Sequence, residues 1–292
     1  MSRKARGWTD TALARGAWRM AMTSWAAWQN RVVRAQGPPP RIRSFVALGD
    51  SFTEGLDDPG PSGSYRGWAD RFVGSLGARN PDLRYANLAV RGKRLGQVVG
   101  EQIPAAIAMA PDLVSIAAGG NDLLLPRADP DALAEMFDDA IARLRGVGCE
   151  VVVFTGFDVG HFPVLRLLSS KIAIYNAHLR IIAARRGCHL ADLWPMSPLR
   201  DTRAWSADRL HLSAEGHRRV ALFVAERLGV PVTGDWRELW PSAAASHWVR
   251  TRWQDVRWAR RHAAPWIGRR LRGMSSGDGL QPKRPSLMPL QT

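Results

Sequence analysis

A three-layer α/β/α sandwich around a parallel sheet of about five strands is the fold class that the 292-residue sequence predicts. Three features predict it. Short apolar runs alternate with segments of helical spacing, proline-rich sequence separates a basic leader from a neutral middle, and the glycine-, serine- and histidine-bearing loops fall after strands or before the last helix. Strands joined by helices of such length need crossover connections, which place helices on both faces of a parallel sheet.

The Gly37-Pro38-Pro39-Pro40 stretch cannot continue a helix, because proline lacks a donor and restricts the residue before it, so it reads as a linker. Directly after it, 44–48 (SFVAL) is an apolar run ending at Gly49, as expected of a buried parallel strand. Similar runs at 85–89, 113–117, 151–155 and 189–193 predict the other strands. Between them, 66–78, 94–109, 130–146 and 171–187 carry helical spacing, with a last helix at 214–228. In the fourth of these, Ile172, Tyr175, Leu179 and Ile182 recur every three or four residues and share one face. No internal repeat appears.

Net charge is +15, but residues 1–44 hold +8 and residues 232–292 hold +7, leaving 45–231 neutral. Tryptophan divides in the same way: four of the thirteen lie in the first segment, six in the last, and only Trp68, Trp194 and Trp205 between. The predicted organisation is a basic, Trp-rich arm and Pro linker (1–43), a neutral domain (44–231), a basic Trp-rich helical extension (232–274) and a disordered Ser/Gly/Pro-rich tail (275–292). Two cysteines without a CxxC partner exclude a disulfide framework and a four-cysteine zinc site. No long apolar stretch and no convincing signal sequence is found, so a cytoplasmic protein is expected.

In sheets of this kind ligands bind beyond the carboxyl ends of the strands. After the first strand stands GDSFTEG (49–55), with Ser51 where strand becomes loop; the alternative is a glycine turn with a capping serine. After the second stands NLAVRG (87–92), and after the third GGND (119–122). A glycine N–H can approach a ligand closely and an asparagine amide donates, so the N–H groups of Ser51 and Gly92 with Asn121 could surround an oxyanion. Before the last helix stands DRLH (208–211), in which His211 could take a serine proton and Asp208 orient its ring, with Ser213 a helix cap. The block holding Ser51 is not a GxSxG elbow, and no GxxxxGK[ST] phosphate loop occurs.

The four blocks in this order resemble the SGNH, or GDSL, hydrolases over about residues 44–229, with Phe52 in place of the leucine of the GDSL name. The resemblance implies a flavodoxin-like parallel sheet, Ser51 as nucleophile, His211 as general base and then acid, Asp208 as orienter, and Ser51, Gly92 and Asn121 as the oxyanion hole. It implies a serine esterase or lipase acting on small-molecule esters, without metal or organic cofactor. The alternatives are a carbohydrate O-acetyl esterase or acyltransferase on the same fold, and a catalytically silent binding protein at an anionic surface.

His161, His178, His189, His217, His247 and His262 lack metal-site spacing and are expected to be structural or superficial. Cys149 and Cys188 fall at the far ends of their strands, away from the expected site. The loop 156–170 either shapes an acyl pocket or packs its own Phe and Leu side chains on the sheet. The Trp-bearing arms either lie on an anionic membrane at the inner face or pack on the domain or a second subunit; packing is the preferred expectation. No nucleic-acid module is found, so no specific nucleic acid is expected. The sequence does not decide the oligomeric state.

Overall fold

The computed structural model describes residues 42–60, 63–162, 165–241 and 277–290, all within the compact unit Arg41–Thr292. Residues 1–41 of the expected 1–43 arm and 242–274 of the expected 232–274 extension lie outside the described residues, so the membrane and packing readings of those stretches find no counterpart here.

Five parallel strands run β1 (Ser44–Gly49), β2 (Arg84–Asn87), β3 (Leu113–Ala117), β4 (Glu150–Phe154) and β5 (His189–Ala191). Their helices are the single turn α1 (Ser51–Glu54), α2 (Gly67–Gly77), α3 (Leu95–Gln97) continuing through a π-helical turn into α4 (Ile103–Met109), α5 (Gly120–Leu123), α6 (Pro130–Gly146), α7 (Ser169–Arg185) and α8 (Ala214–Arg227). The alternation expected from the apolar runs is therefore present.

Side chains along β1 divide strictly between two cores, since successive residues of a strand point to opposite faces. Phe45 and Ala47 join Trp68 and Phe72 of α2 and Val220, Phe223 and Val224 of α8. Val46 and Leu48 join Phe137 and Ile141 of α6 and Leu179 and Ile182 of α7. Both faces of the sheet are covered, which is why the strands read as continuous apolar runs rather than alternating ones.

The tail differs from expectation. Residues Arg284–Pro289 form a sixth strand, β6, antiparallel to β2, and the sheet order is β5-β4-β3-β1-β2-β6. The disorder expected over 275–292 is thus corrected for this stretch: its composition is polar and proline-rich, but one antiparallel edge strand tolerates proline. The first residues of the extension also depart from a helix. Residues 232–241 are irregular, and Trp236 and Trp240 pack on α8, with the Arg219 guanidinium 4.3 Å from the Trp240 ring centre.

From β1 the chain moves to β2 on one side and from β3 onward to the other. The crevice of such a sheet opens at this reversal, beyond the carboxyl ends of β1 and β3.

Candidate active site

The end of β1 is held from below. Buried Gln102 accepts from Gly49 N–H at 2.8 Å and donates to Gly49 C=O at 2.9 Å. A side chain at Gly49 would lie 2.4 Å from the Ala117 carbonyl, so glycine is what lets β1 and β3 converge here. Asp50 then caps α1 by accepting from Phe52 N–H at 3.1 Å, and Ser51 is the first helical residue.

Two further loops meet this turn. Fully buried Asn87 donates to Thr53 C=O at 2.9 Å and accepts from Ala89 N–H at 3.1 Å, which fixes the path out of β2. Glu54 accepts from Arg91 N–H at 2.7 Å and pairs with its guanidinium, holding the turn in which Gly92 takes φ 76°. Gly119 takes φ 99° against Tyr175, whose hydroxyl would stand 2.6 Å from any Cβ there. Asn121 then donates to Asp50 at 2.9 Å and to Lys93 C=O at 3.0 Å, while Asp122 accepts from Leu95 N–H at 2.9 Å. The three loops are tied to one another by side chains rather than by the sheet.

The histidine arrives on a loop closed by pairing of Trp205 with Leu212 and by a 2.8 Å bond from Ser206 N–H to His211 C=O. Arg209 sits at φ 54° in its bend, a conformation uncommon for a residue with a side chain. His211 Nε2 lies 3.1 Å from Ser51 Oγ, and its Nδ1 lies 2.6 Å from Asp208 Oδ2. The other carboxylate oxygen of Asp208 accepts from the N–H groups of Leu210 (2.9 Å) and His211 (3.0 Å). Ser206 Oγ shares its hydroxyl between Asp208 (2.6 Å) and Asp57 (2.7 Å). Burial opposes ionisation of Asp208, but the His211 ring, Ser206 and the Leu210 N–H together hold its carboxyl well below the usual range.

Beside Ser51 opens a cavity of about 220 Å³ between the ends of β3 and β4 and the start of α7. Phe52, Phe154, Phe157, Leu165, Ile172 and Leu179 are among its walls. Away from Ser51, three polar side chains of its lining bond to the protein itself: Thr155 donates to Asp192, Tyr175 donates to Ala118 C=O, and Asn176 both accepts from and donates to the Gly156 backbone. The loop 156–170 therefore contributes walls to a cavity as well as packing on the sheet.

All five residues singled out for the site, Ser51, Gly92, Asn121, Asp208 and His211, lie on the loops that meet at this crevice. His217 lines the same cavity and stacks on Phe52; Trp68 N–H donates to its Nδ1 at 3.2 Å, and burial pushes its pKa down to about 4. Burial pushes the Cys188 thiol up to about 11 and raises that of Cys149, and both sit at the far ends of β5 and β4. His247 and His262 lie outside the described residues. Among the described residues, the grouping of metal-type ligands close to one another is Asp57, Asp208 and His211, already joined by hydrogen bonds and Ser206. Sequence reasoning missed Asp50, Asp57, Gln102 and Ser206. Only Asp50, beside Ser51 in the first block, carried a signal.

The GDSL-like Lipase/Acylhydrolase family matches residues 47–219, more than half of the chain. The chain belongs to this family. It is therefore an ester hydrolase of GDSL-like type, on the parallel-dominated fold described above. An acetyl xylan esterase from Geobacillus stearothermophilus superposes with TM-score 0.56 at 20% identity, covering 67% of this chain and 100% of its own. Three variants of that esterase, described as catalytic mutants, replace a serine, an aspartate and a histidine three residues after the aspartate. A putative GDSL-like lipase from Parabacteroides merdae gives TM-score 0.56 at 16% identity, covering 64% and 96%. An alpha/beta hydrolase enzyme from the Lake Arreo metagenome gives 0.54 at 21%, covering 64% and 95%. At these identities the likeness is one of fold. None of the curated proteins matches the sequence.

Proposed function

We propose that the protein is a serine esterase in which Ser51, His211 and Asp208 form the catalytic triad and the acyl group of the ester is a hydrocarbon chain. The observation that carries this reading is the continuous line Ser51 Oγ, His211 Nε2, His211 Nδ1, Asp208 Oδ2, with links of 3.1 and 2.6 Å. The same three residue types, with the same Asp-x-x-His spacing, are replaced in the catalytic mutants of the acetyl xylan esterase.

In this reading Ser51 Oγ attacks the ester carbonyl as His211 Nε2 takes its proton. Asp208 keeps the Nδ1–H tautomer and stabilises the imidazolium; its own charge is secured by Ser206 and two backbone N–H groups. The carbonyl oxygen, now an anion, receives the N–H of Ser51, the N–H of Gly92 and the amide of Asn121, which exchanges its 3.0 Å bond to Lys93 C=O for the substrate oxygen. His211 returns the proton to the departing alcohol, and water, activated in the same way, releases the acid and restores Ser51.

A hydrocarbon acyl group is favoured over acetyl by the cavity. The cavity of about 220 Å³ is several times the roughly 30 Å³ share of one water molecule, which leaves room for an acyl chain of medium length. Away from Ser51, the Thr155, Tyr175 and Asn176 side chains in its wall already have internal partners, so that part of the cavity presents an acyl chain with apolar contact. The test is hydrolysis of p-nitrophenyl esters from acetyl to palmitoyl by wild type and Ser51→Ala. The expected result is a maximum near octanoyl and essentially no turnover in the variant. An acetyl maximum would point to the carbohydrate O-acetyl esterase instead.

A further inference from the structure

Lys283 stands outside the residues that match the family, immediately before β6, yet its ammonium is buried under the active-site loops. Its side chain is 14% exposed. Nζ reaches the carbonyls of Glu54 (2.6 Å), Tyr65 (2.9 Å) and Arg66 (2.9 Å) and pairs with Asp70 on α2. Burial pushes the ammonium below its usual pKa and the Asp70 carboxyl above its own, so this cation is retained at a cost in solvation.

What the cation holds is the last residue of α1. Glu54 offers its carbonyl to Lys283 and its carboxylate to Arg91, gripping both the Arg91 N–H and the guanidinium. The next residue is Gly92. The same segment touches this turn a second time: Gly277 packs so closely that a Cβ there would lie 1.9 Å from the Arg91 carbonyl and 3.0 Å from Val90. Pairing of β6 with β2 and packing of Leu290 over Gly77 fix the segment itself.

We propose that Lys283 is a positioning residue for ester hydrolysis: through Glu54 it holds the 90–92 turn so that the Gly92 N–H faces the developing oxyanion. This rests on the Ser51 reading above. The 277–290 segment is then a brace to a family-matching core that stops at residue 219.

The test uses the full chain with Lys283→Met and, separately, Gly277→Ala, which presses on the Arg91 carbonyl without removing a charge. Readouts are p-nitrophenyl ester kinetics and the rate at which a fluorophosphonate labels Ser51, a reaction that also places negative charge on an oxygen in the hole. The expected result is a roughly ten- to hundred-fold fall in kcat with KM held within about twofold, and labelling slowed in parallel. Lys283→Met combined with Asn121→Ala is expected to lose less than the product of the two single effects, because both act on one oxyanion. Folded variants that keep kcat, or that lose only thermal stability, overturn the proposal, as does a strictly multiplicative double variant. If Lys283→Met does not fold, Gly277→Ala alone decides. A wild type that is not labelled, or a Ser51→Ala that is, overturns the Ser51 reading itself; a labelled wild type with indifferent Lys283 and Gly277 variants removes only the brace.

Discussion

The two walls of the crevice are built by different physics. On the His211 side the atoms are fixed by hydrogen bonds between loops, with Arg209 and Asp57 in left-handed conformations and Ser206 spanning two carboxylates. On the Phe154 side they are fixed by ring packing, with Phe52 meeting Phe154 at 5.5 Å and Phe157 at 5.4 Å, and Phe157 meeting Trp205 at 5.1 Å. The first wall is directional, so a small change misplaces a proton; the second is shaped by volume, so a small change alters which chain fits.

Substitutions can break or sharpen that contrast. The largest effect after loss of Ser51 is expected from Asp208→Asn, which leaves the shape of the polar wall but favours the wrong His211 tautomer; kcat should fall by about 10⁴ at unchanged octanoyl preference. If Asn121 donates to the oxyanion as proposed, Asn121→Ala is expected to lower kcat roughly 100- to 1000-fold, again for all chain lengths alike. If either variant changed chain-length preference, the walls would not be separable.

The apolar wall should respond in the opposite sense. Ile172→Phe takes up room equivalent to about one methylene, so the ratio of octanoyl to acetyl kcat/KM is expected to fall roughly four-fold while acetyl turnover stays near wild type. Steady-state kinetics on the two esters measures it. An unchanged ratio would mean that the acyl chain lies elsewhere.

The smallest effect concerns stability rather than rate. His217 is buried as the neutral base with its pKa down at about 4, against about 6.5 in an unfolded chain. Between those values the unfolded state binds more protons, so the contribution is complete above pH 6.5 and is lost as pH falls toward 4, by about 3 kcal/mol. Melting temperature against pH should therefore drop less steeply in His217→Gln, whose side chain can still accept from Trp68 N–H.

Much of this was readable from the residues. The strands stood out because both sheet faces are covered, which turns each into an unbroken apolar run. Ser51, Gly92 and Asn121 after strands and His211 before the last helix stood out as a set, because their blocks follow one another in the order of a known family. Ser206 and Asp57 did not, since their meeting spans 149 residues of chain and nothing local distinguishes them from turn residues. The cavity was equally hidden, as a phenylalanine lining empty space and one filling a core look alike in sequence. β6 was misjudged for a sharper reason: its prolines argue against a strand everywhere except at a sheet's edge.

That edge has a consequence of its own. Without β6, the outer backbone groups of β2 would form an open template for another chain, the usual origin of strand-to-strand aggregation. β6 covers them and is itself a poor template, because Pro285 and Pro289 have no N–H to offer. A chain cut before residue 277 should accordingly self-associate as its concentration rises, which makes the last fourteen described residues a guard of solubility as well as a part of the sheet.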